Sequence, residues 1–81
     1  MKCEVLLFAQ IRDALGADRL TIELRDGATV REAMDALAAQ HEPIAQIRTQ
    51  VAVAVDEAYV TQERVLRDGC TIALIPPVSG G

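Results

Sequence analysis

The 81-residue chain is poor in aromatic side chains, with one Phe, one Tyr and no Trp. Hydrophobic residues make up 51 % of it, so the core must be built from Val, Leu, Ile and Ala. A chain of this length has room for one domain and buries roughly 60–65 % of its unfolded surface. We therefore expect a single domain over residues 1–81 with a modest core.

Lysine is also scarce, since Lys2 is the only one, and acidic residues outnumber basic ones to give a net charge of −4. Such a surface repels phosphate backbones, so we expect no nucleic-acid partner. It suits a basic groove on a protein partner instead. No apolar run approaches the length of a membrane span, and the first residues do not resemble a signal peptide. We expect a cytoplasmic protein without membrane association.

Cysteine is rare, and the two cysteines lack the spacing of metal ligands. Cys3 and Cys70 form no C-x-x-C pair and have no histidine nearby in the sequence, so no metal site is expected. We interpret them as small buried hydrophobic residues in a reducing compartment, where a disulfide is not expected. Both begin predicted strands, so the two thiols would lie close together if those strands are parallel neighbours.

The first half of the chain is predicted to form two strands and two helices. Residues 4–9 are apolar on both sides, which is typical of a well-covered strand. Residues 10–15 have helical spacing and precede a glycine stop. Residues 19–25 alternate, which predicts a half-buried strand antiparallel to the first. The stretch 29–32, Thr-Val-Arg-Glu, has the pattern of a capping box and predicts the start of a helix that runs to about Gln40.

The second half is predicted to be mainly extended after Pro43 closes the long helix. The predicted elements are, in order, a loop, with or without a helical turn, over 44–50, a valine-rich strand over 51–55, a hairpin tip at Asp56-Glu57, a short returning strand over 58–60, a connector with one or two anchors, Val65 and Leu66, and a strand over 71–75 that is apolar on both sides.

The chain ends in a thin tail over residues 76–81. Pro76-Pro77 removes two backbone donors and stops the last strand. Residues 78–81 carry no charged side chain and, when extended, would reach about 13 Å from the body. Gly-Gly at the end arises by chance with a probability of roughly 0.5 %. Because a glycine carboxylate has no side chain beside it, such a tail can enter a narrow active site and present its carbon to a nucleophile or to ATP.

The order of the elements favours the β-grasp fold, an α+β class in which one main helix packs across a mixed sheet. In that fold the first and last strands lie side by side and parallel in the centre of the sheet. In this chain those two strands are the ones that are apolar on both sides, as central positions require. The tail would then leave from the middle of one edge of the sheet.

Three pieces of sequence resemble one family along essentially the whole chain: 7–12 with Gly16 after it, 53–56 with Val60, and 66–69 leading into 75–81. That family is the small subunit of molybdopterin synthase, a ubiquitin-like sulfur carrier. The Phe-Ala-x-x-Arg and Pro-Pro-Val-Ser-Gly-Gly pieces are fairly specific to it. Cys70 and Ala54 depart from the pattern, since an acidic residue and an asparagine are usual there.

The resemblance implies that the chain donates sulfur and that the acid–base groups belong to its partner. An E1-like adenylating enzyme would activate the Gly81 carboxylate with ATP, and a persulfide-derived sulfur would displace AMP to leave a thiocarboxylate. The tail would insert into the large catalytic subunit, within a heterotetramer, and deliver sulfur to cyclic pyranopterin monophosphate. The product is the dithiolene that later holds molybdenum. The chain has no nucleophile–base constellation of its own, and no bound cofactor is expected.

The resemblance also assigns tail or partner contact to six further residues: Gly80, Val78, Pro77, Pro76, Phe8 and Arg12. Gly80 would keep the tail thin, and the two prolines with Val78 would form an apolar collar. Aromatic residues and arginine are common interface anchors. For Phe8, core packing is an equal alternative, and for Arg12 a solvated charge.

Three other functions stay open. A sulfur carrier for thiamine or thiolated tRNA also ends in Gly-Gly, although the full Pro-Pro-Val-Ser-Gly-Gly ending argues against it. A protein modifier attached to lysines would leave isopeptide-linked adducts. A β-grasp binding module with an inert tail would keep its function after Gly80-Gly81 is deleted.

Overall fold

The structure, a computed structural model described over residues 1–77, is a five-stranded mixed sheet with helices packed on one face. The strands are β1 (Lys2–Leu7), β2 (Arg19–Glu23), β3 (Ala52–Val55), β4 (Ala58–Tyr59) and β5 (Thr71–Ile75). The helices are α1 (Ala9–Leu15), α2 (Val30–Gln40) and α3 (Glu42–Ile47), followed by a 3₁₀ turn (Arg48–Gln50). Among residues 1–77, none of the helices has the length and hydropathy needed to span a bilayer.

The strand order is β2-β1-β5-β3-β4. The first and last strands are parallel neighbours, with Val5 opposite Ile72 and Leu7 opposite Leu74. All other neighbouring strands pair antiparallel. The predicted β-grasp arrangement is therefore confirmed, including the two central strands.

Helix α2 supplies most of the layer that covers the sheet. Thr29 caps it, because the Thr29 hydroxyl oxygen accepts a hydrogen bond from the Glu32 amide at 3.3 Å. Its buried side chains join the inward side chains of the strands in one core: Cys3, Val5, Leu7, Val30, Ala33, Met34, Leu37, Val53, Val55, Ile72 and Leu74. The buried residues of α2 recur every three or four positions, as the apolar side of an amphipathic helix does.

The stretch 44–50 is predicted to be a loop that could include a helical turn, and the loop is wrong because helix α3 and a 3₁₀ turn occupy the whole stretch. Pro43 lies in the first turn of α3, where the missing amide hydrogen has no helical partner to lose. Ile44 is fully buried and fixes the helix to the core. A proline interpreted as the end of one helix therefore begins the next.

Two smaller predictions also need correction. The first strand ends at Leu7 and not at residue 9, because Phe8 is the N-cap of α1 and Ala9 has φ 49°. Val65 is not an anchor, since its side chain is 54 % exposed. The connector is held by its backbone instead: the Leu66 amide donates to the Ala28 carbonyl at 2.8 Å, and the buried Leu66 side chain is the anchor.

The expectation that the last strand is covered on both faces is wrong as well. Along β5, Ile72 and Leu74 point into the core with no exposure, whereas Ala73 and Ile75 on the other side are only partly buried. The sheet has helices on one face alone. The middle of its second face is apolar, yet the described chain places no layer against it.

Candidate functional site

The uncovered face of the sheet carries an apolar groove of about 610 Å³. Its apolar lining residues are Leu6, Phe8, Ala54, Tyr59, Ala73 and Ile75. They come from β1, β3, β4 and β5 and from the start of α1, so residues far apart in the sequence form one surface. We call this surface the sheet groove.

Strand register explains the shape of the sheet groove. Leu6 is opposite Ala73, Ala73 is opposite Ala54, and Ala54 is opposite Tyr59. These four residues form a single row across the sheet, since directly opposed residues share a face. Two alanines in the middle and larger side chains at each end make a shallow trough.

The sheet groove is polar at one end and apolar at the other. At the polar end Glu4 lies opposite Thr71 and accepts a hydrogen bond from the Arg19 guanidinium at 2.6 Å. At the apolar end lies Ile75, the last residue of β5. The chain continues from there directly into Pro76-Pro77. The apolar end of the groove is thus where the backbone leaves the sheet.

The hairpin tip forms an acidic rim beside the sheet groove. Asp56 and Glu57 are both exposed and both have positive φ, 48° and 73°, as the paired residues of a tight hairpin turn do. The Asp56 carboxylate accepts a hydrogen bond from the Thr71 amide at 3.0 Å, and the Asp56 amide donates to the Thr71 carbonyl at 2.9 Å. These bonds hold the rim against β5. The rim therefore offers negative charge to a cationic partner group.

Two aromatic side chains stand at the sides of the sheet groove. Phe8 is 43 % exposed, which excludes the core-packing alternative for this residue. Tyr59 is 72 % exposed, and the sequence reasoning did not single it out. One signal could have identified it: a hairpin tip at 56–57 pairs residue 59 with residue 54 and places both on one face.

The other predicted site residues are distributed around this surface. The Arg12 side chain is 53 % exposed, with its Nε 3.7 Å from the Asp13 carboxylate, and it does not line the sheet groove. Pro76 is buried, whereas Pro77 is exposed. The body of the domain thus includes Pro76, and Pro77 is the proline that is open to contact. The predictions for Val78, Gly80 and Gly81 lie outside the described residues.

The described residues form a surface suited to binding and do not form a group of side chains suited to catalysis. Between residues 1 and 77 no three His, Cys, Asp or Glu side chains come close enough to hold a metal ion. Burial, with the hydrogen bond from Cys70, raises the pKa of the Cys3 thiol to about 12, so this group is a poor nucleophile at neutral pH. The sheet groove itself offers an apolar floor, aromatic sides and an acidic rim.

Comparison with known sequences gives a family match over nearly the whole chain. The model of the ThiS family matches residues 5–81. The chain is 32 % identical over 81 residues to the molybdopterin synthase sulfur carrier subunit of Arabidopsis thaliana, covering 100 % of this chain and 84 % of that protein. It is 34 % identical over 80 residues to the subunit of the same name from Escherichia coli K12, covering 96 % of this chain and 98 % of that protein.

Solved structures share the same fold. SAMP1 from Haloferax volcanii superposes with a TM-score of 0.87 at 28 % identity, and the match covers all of both chains. A chain in the complex of subunits 1 and 2 of the molybdopterin-converting factor from Helicobacter pylori superposes with a TM-score of 0.74 at 26 % identity, again over all of both chains. In that complex the similar fold is seen together with a second protein.

Proposed function

Because the chain belongs to the ThiS family, we propose that it is the sulfur-carrier subunit of a molybdopterin synthase. The observation that carries the proposal is the course of β5, which crosses the floor of an uncovered apolar groove and then leads through Pro76-Pro77 to a Gly-Gly end. One strand therefore links a docking surface to a reactive terminus. Full-length identity to subunits of that name supports the same function.

The sheet groove would bind the large catalytic subunit. An apolar surface with aromatic sides and charged edges has the composition of an interface core with a polar rim. Phe8 and Tyr59 would fill hollows on the partner, and Asp56 and Glu57 would face basic side chains around them. The net charge of −4 would favour such an encounter at low ionic strength. The Helicobacter pylori complex shows that a protein of this fold binds a second subunit.

Docking by the sheet groove would aim the tail at the partner. The groove is apolar up to Ile75, so a partner seated on it reaches the point where residues 76–81 begin. The exposed Pro77 restricts the backbone and, with Val78, would form the apolar collar. Gly80 and Gly81 would then pass into the catalytic subunit because they add no side-chain bulk. Arg12, exposed on α1, would contact the partner beside the groove.

The chemistry would take place at the Gly81 carboxylate. An E1-like enzyme would use ATP to form an acyl-adenylate there, because a free carboxylate is a poor acyl donor. A persulfide-derived sulfur would attack the carbonyl carbon, the bond to AMP would break, and a thiocarboxylate would remain. This thiocarboxylate would give its sulfur to cyclic pyranopterin monophosphate. The chain would act as a cosubstrate in a heterotetramer, with catalysis by its partner and without a cofactor of its own.

Intact mass spectrometry tests this function on protein purified from cells that contain the activating and sulfur-transfer enzymes. We expect a species heavier by the difference between one sulfur and one oxygen atom. Deletion of Gly81 should abolish it. Gly80→Ala should hinder sulfur delivery to the large subunit by adding a side chain to the tail. Only the unmodified mass, where a known carrier is converted, would contradict the proposal, and normal delivery by Gly80→Ala would argue against a narrow channel.

A second candidate function, attachment to lysines of other proteins, is favoured by one observation. A Haloferax volcanii structure described as small archaeal modifier protein 1 superposes with a TM-score of 0.83 at 26 % identity. The same activated Gly81 would then react with an amine in place of a sulfur. Isopeptide-linked peptides ending in Gly81, found by mass spectrometry of cell extracts, would support this function. Their absence beside an abundant thiocarboxylate would leave sulfur transfer as the single role.

A further inference from the structure

Cys3 and Cys70 lie side by side at one end of the two central strands. Cys3 is in β1 and Cys70 directly precedes β5, one residue before the pair Glu4 and Thr71. Their sulfur atoms are 3.1 Å apart, and both are free thiols. The exposed fraction is 1 % for Cys3 and 5 % for Cys70. The proximity that the strand pairing predicted is thus present in the fold.

The backbone geometry suits a disulfide between these residues. Neighbouring strands lie about 4.8 Å apart, and disulfides join residues whose Cα atoms are about 4.4–6.8 Å apart. A disulfide bond is about 2.05 Å long, so the two sulfurs need to approach each other by roughly 1 Å. The local backbone is tied on both sides, because the Glu4 amide donates to the Cys70 carbonyl at 3.0 Å and the Gly69 amide donates to the Lys2 carbonyl at 2.7 Å.

The hydrogen bonds around the pair tolerate the loss of both thiol protons. The Cys70 thiol donates to the Cys3 sulfur, and the Cys3 thiol donates to the Arg67 carbonyl at 3.5 Å. That carbonyl also accepts the Cys70 amide at 3.1 Å. It would therefore keep a partner after oxidation. No buried polar group would be left unsatisfied by forming the bond.

We propose that Cys3 and Cys70 are an oxidation site, which closes into an intramolecular disulfide when the protein meets a peroxide or a small-molecule disulfide. With a peroxide, the more exposed Cys70 sulfur attacks one oxygen, the O–O bond breaks, and a sulfenic acid and one water form. The Cys3 thiol stays protonated because its pKa is raised, but its sulfur is already 3.1 Å from the Cys70 sulfur. It therefore attacks the Cys70 sulfur, the S–O bond breaks, and the Cys3 proton leaves with the hydroxyl as a second water. The two thiols lose two electrons and two protons, and the peroxide is reduced. With a small-molecule disulfide, the Cys70 sulfur attacks one of its sulfurs and releases one thiol, and the Cys3 sulfur then attacks the Cys70 sulfur of the mixed disulfide and releases the second thiol.

The disulfide would tie the first strand to the last while leaving the tail free. It would close a loop over most of the chain and so restrict the unfolded state, which should raise Tm by on the order of 10 °C. Cys70 and Pro76 stand at opposite ends of β5, roughly 20 Å apart. Activation of Gly81 should therefore proceed in the oxidised protein.

Peptide mapping of the full-length protein tests the proposal. The reduced protein is treated with hydrogen peroxide or with glutathione disulfide and digested with trypsin under non-reducing conditions. Cleavage after Lys2, Arg12 and Arg67 places the cysteines in the fragments 3–12 and 68–81. We expect these two fragments to be joined, and to separate on treatment with a phosphine reductant. The intact chain should lose about 2 Da, the mass of two hydrogens.

Thermal unfolding of the oxidised wild-type chain, measured with and without reductant, gives the change in Tm that the disulfide causes. Cys3→Ala and Cys70→Ala should each abolish the joined fragments and the rise in Tm. If the native wild-type protein instead yields unmodified thiols, sulfinic acids, glutathione adducts or disulfides between two chains, the proposal is overturned. Since the mapping needs no variant, the result does not depend on whether the alanine proteins fold.

Discussion

The two faces of the sheet are made from alternate residues of the same strands, yet they differ in what covers them. On the helix face Leu74 is fully buried within the core. On the other face Ala73 and Ile75 line an open groove flanked by the exposed aromatic rings of Phe8 and Tyr59. The core of this chain accounts for the first face and leaves the second unexplained. An exposed apolar surface of this kind is typical of a site where another protein binds, as the proposed docking of the large subunit requires.

The largest expected loss of stability is for a substitution on the helix face of the sheet. Leu74→Ala removes a fully buried side chain from the core and should lower the free energy of unfolding by about 2–5 kcal/mol. Urea unfolding measures the loss. Ile75→Ala, one residue away on the groove side, is the matched control and should lower the free energy of unfolding by clearly less. Equal losses for the two variants would contradict the distinction between the faces.

The groove face should show the reverse behaviour. Tyr59→Ala should change the free energy of unfolding by less than about 0.5 kcal/mol, because the side chain is 72 % exposed. It should weaken binding to the large subunit by roughly 2 kcal/mol, about 30-fold in Kd, as measured by calorimetry. Val65→Ala is the control, since Val65 is also an exposed apolar residue, at 54 %, but lies outside the groove. Similar weakening by both variants would argue against docking through the sheet groove.

The smallest effect concerns an ion pair at the start of α2. Hydrogen bonds from the Arg25 guanidinium lower the pKa of the Glu32 carboxyl. A carboxyl whose pKa is lower in the folded state stabilises the protein above the unfolded pKa, and this stabilisation is lost as pH falls through the folded value. The stability difference between the wild type and Glu32→Gln should therefore shrink on acidification from neutral pH. Because both groups are exposed, the difference should be small and should diminish with added salt. A stability difference between the wild type and Glu32→Gln that grows on acidification would contradict a stabilising ion pair between Arg25 and Glu32.

Local patterns were enough to predict most of the elements. The alternation in β2, the helical spacing of α2 and the turn at Asp56-Glu57 each follow from a few neighbouring residues. The pattern failed for α3, a six-residue helix whose formation depends on burying Ile44 against the rest of the core. It also failed for Val65, where backbone pairing with distant residues decides which side chain turns inward.

The candidate site was predictable in part. Phe8 was identified, but its exposure was undecided, because an apolar residue at the end of a strand suits either the core or a surface. Tyr59 was missed, because its role depends on the pairing of β4 with β3. The acidic rim was recognised as a hairpin tip without its position beside the groove. Each of these gaps concerns contacts between residues that are distant along the chain.

Residue chemistry alone decided the type and order of most strands and helices and the composition of the tail, since φ preferences, side-chain alternation and capping act over a few residues. The pairing of the strands in the folded chain decided which distant residues share a surface. It laid Leu6, Ala73 and Ala54 in one row, left one face without helices and brought Cys3 against Cys70. These outcomes needed the folded chain because packing joins residues whose separation in sequence is large and whose individual patterns are compatible with several partners.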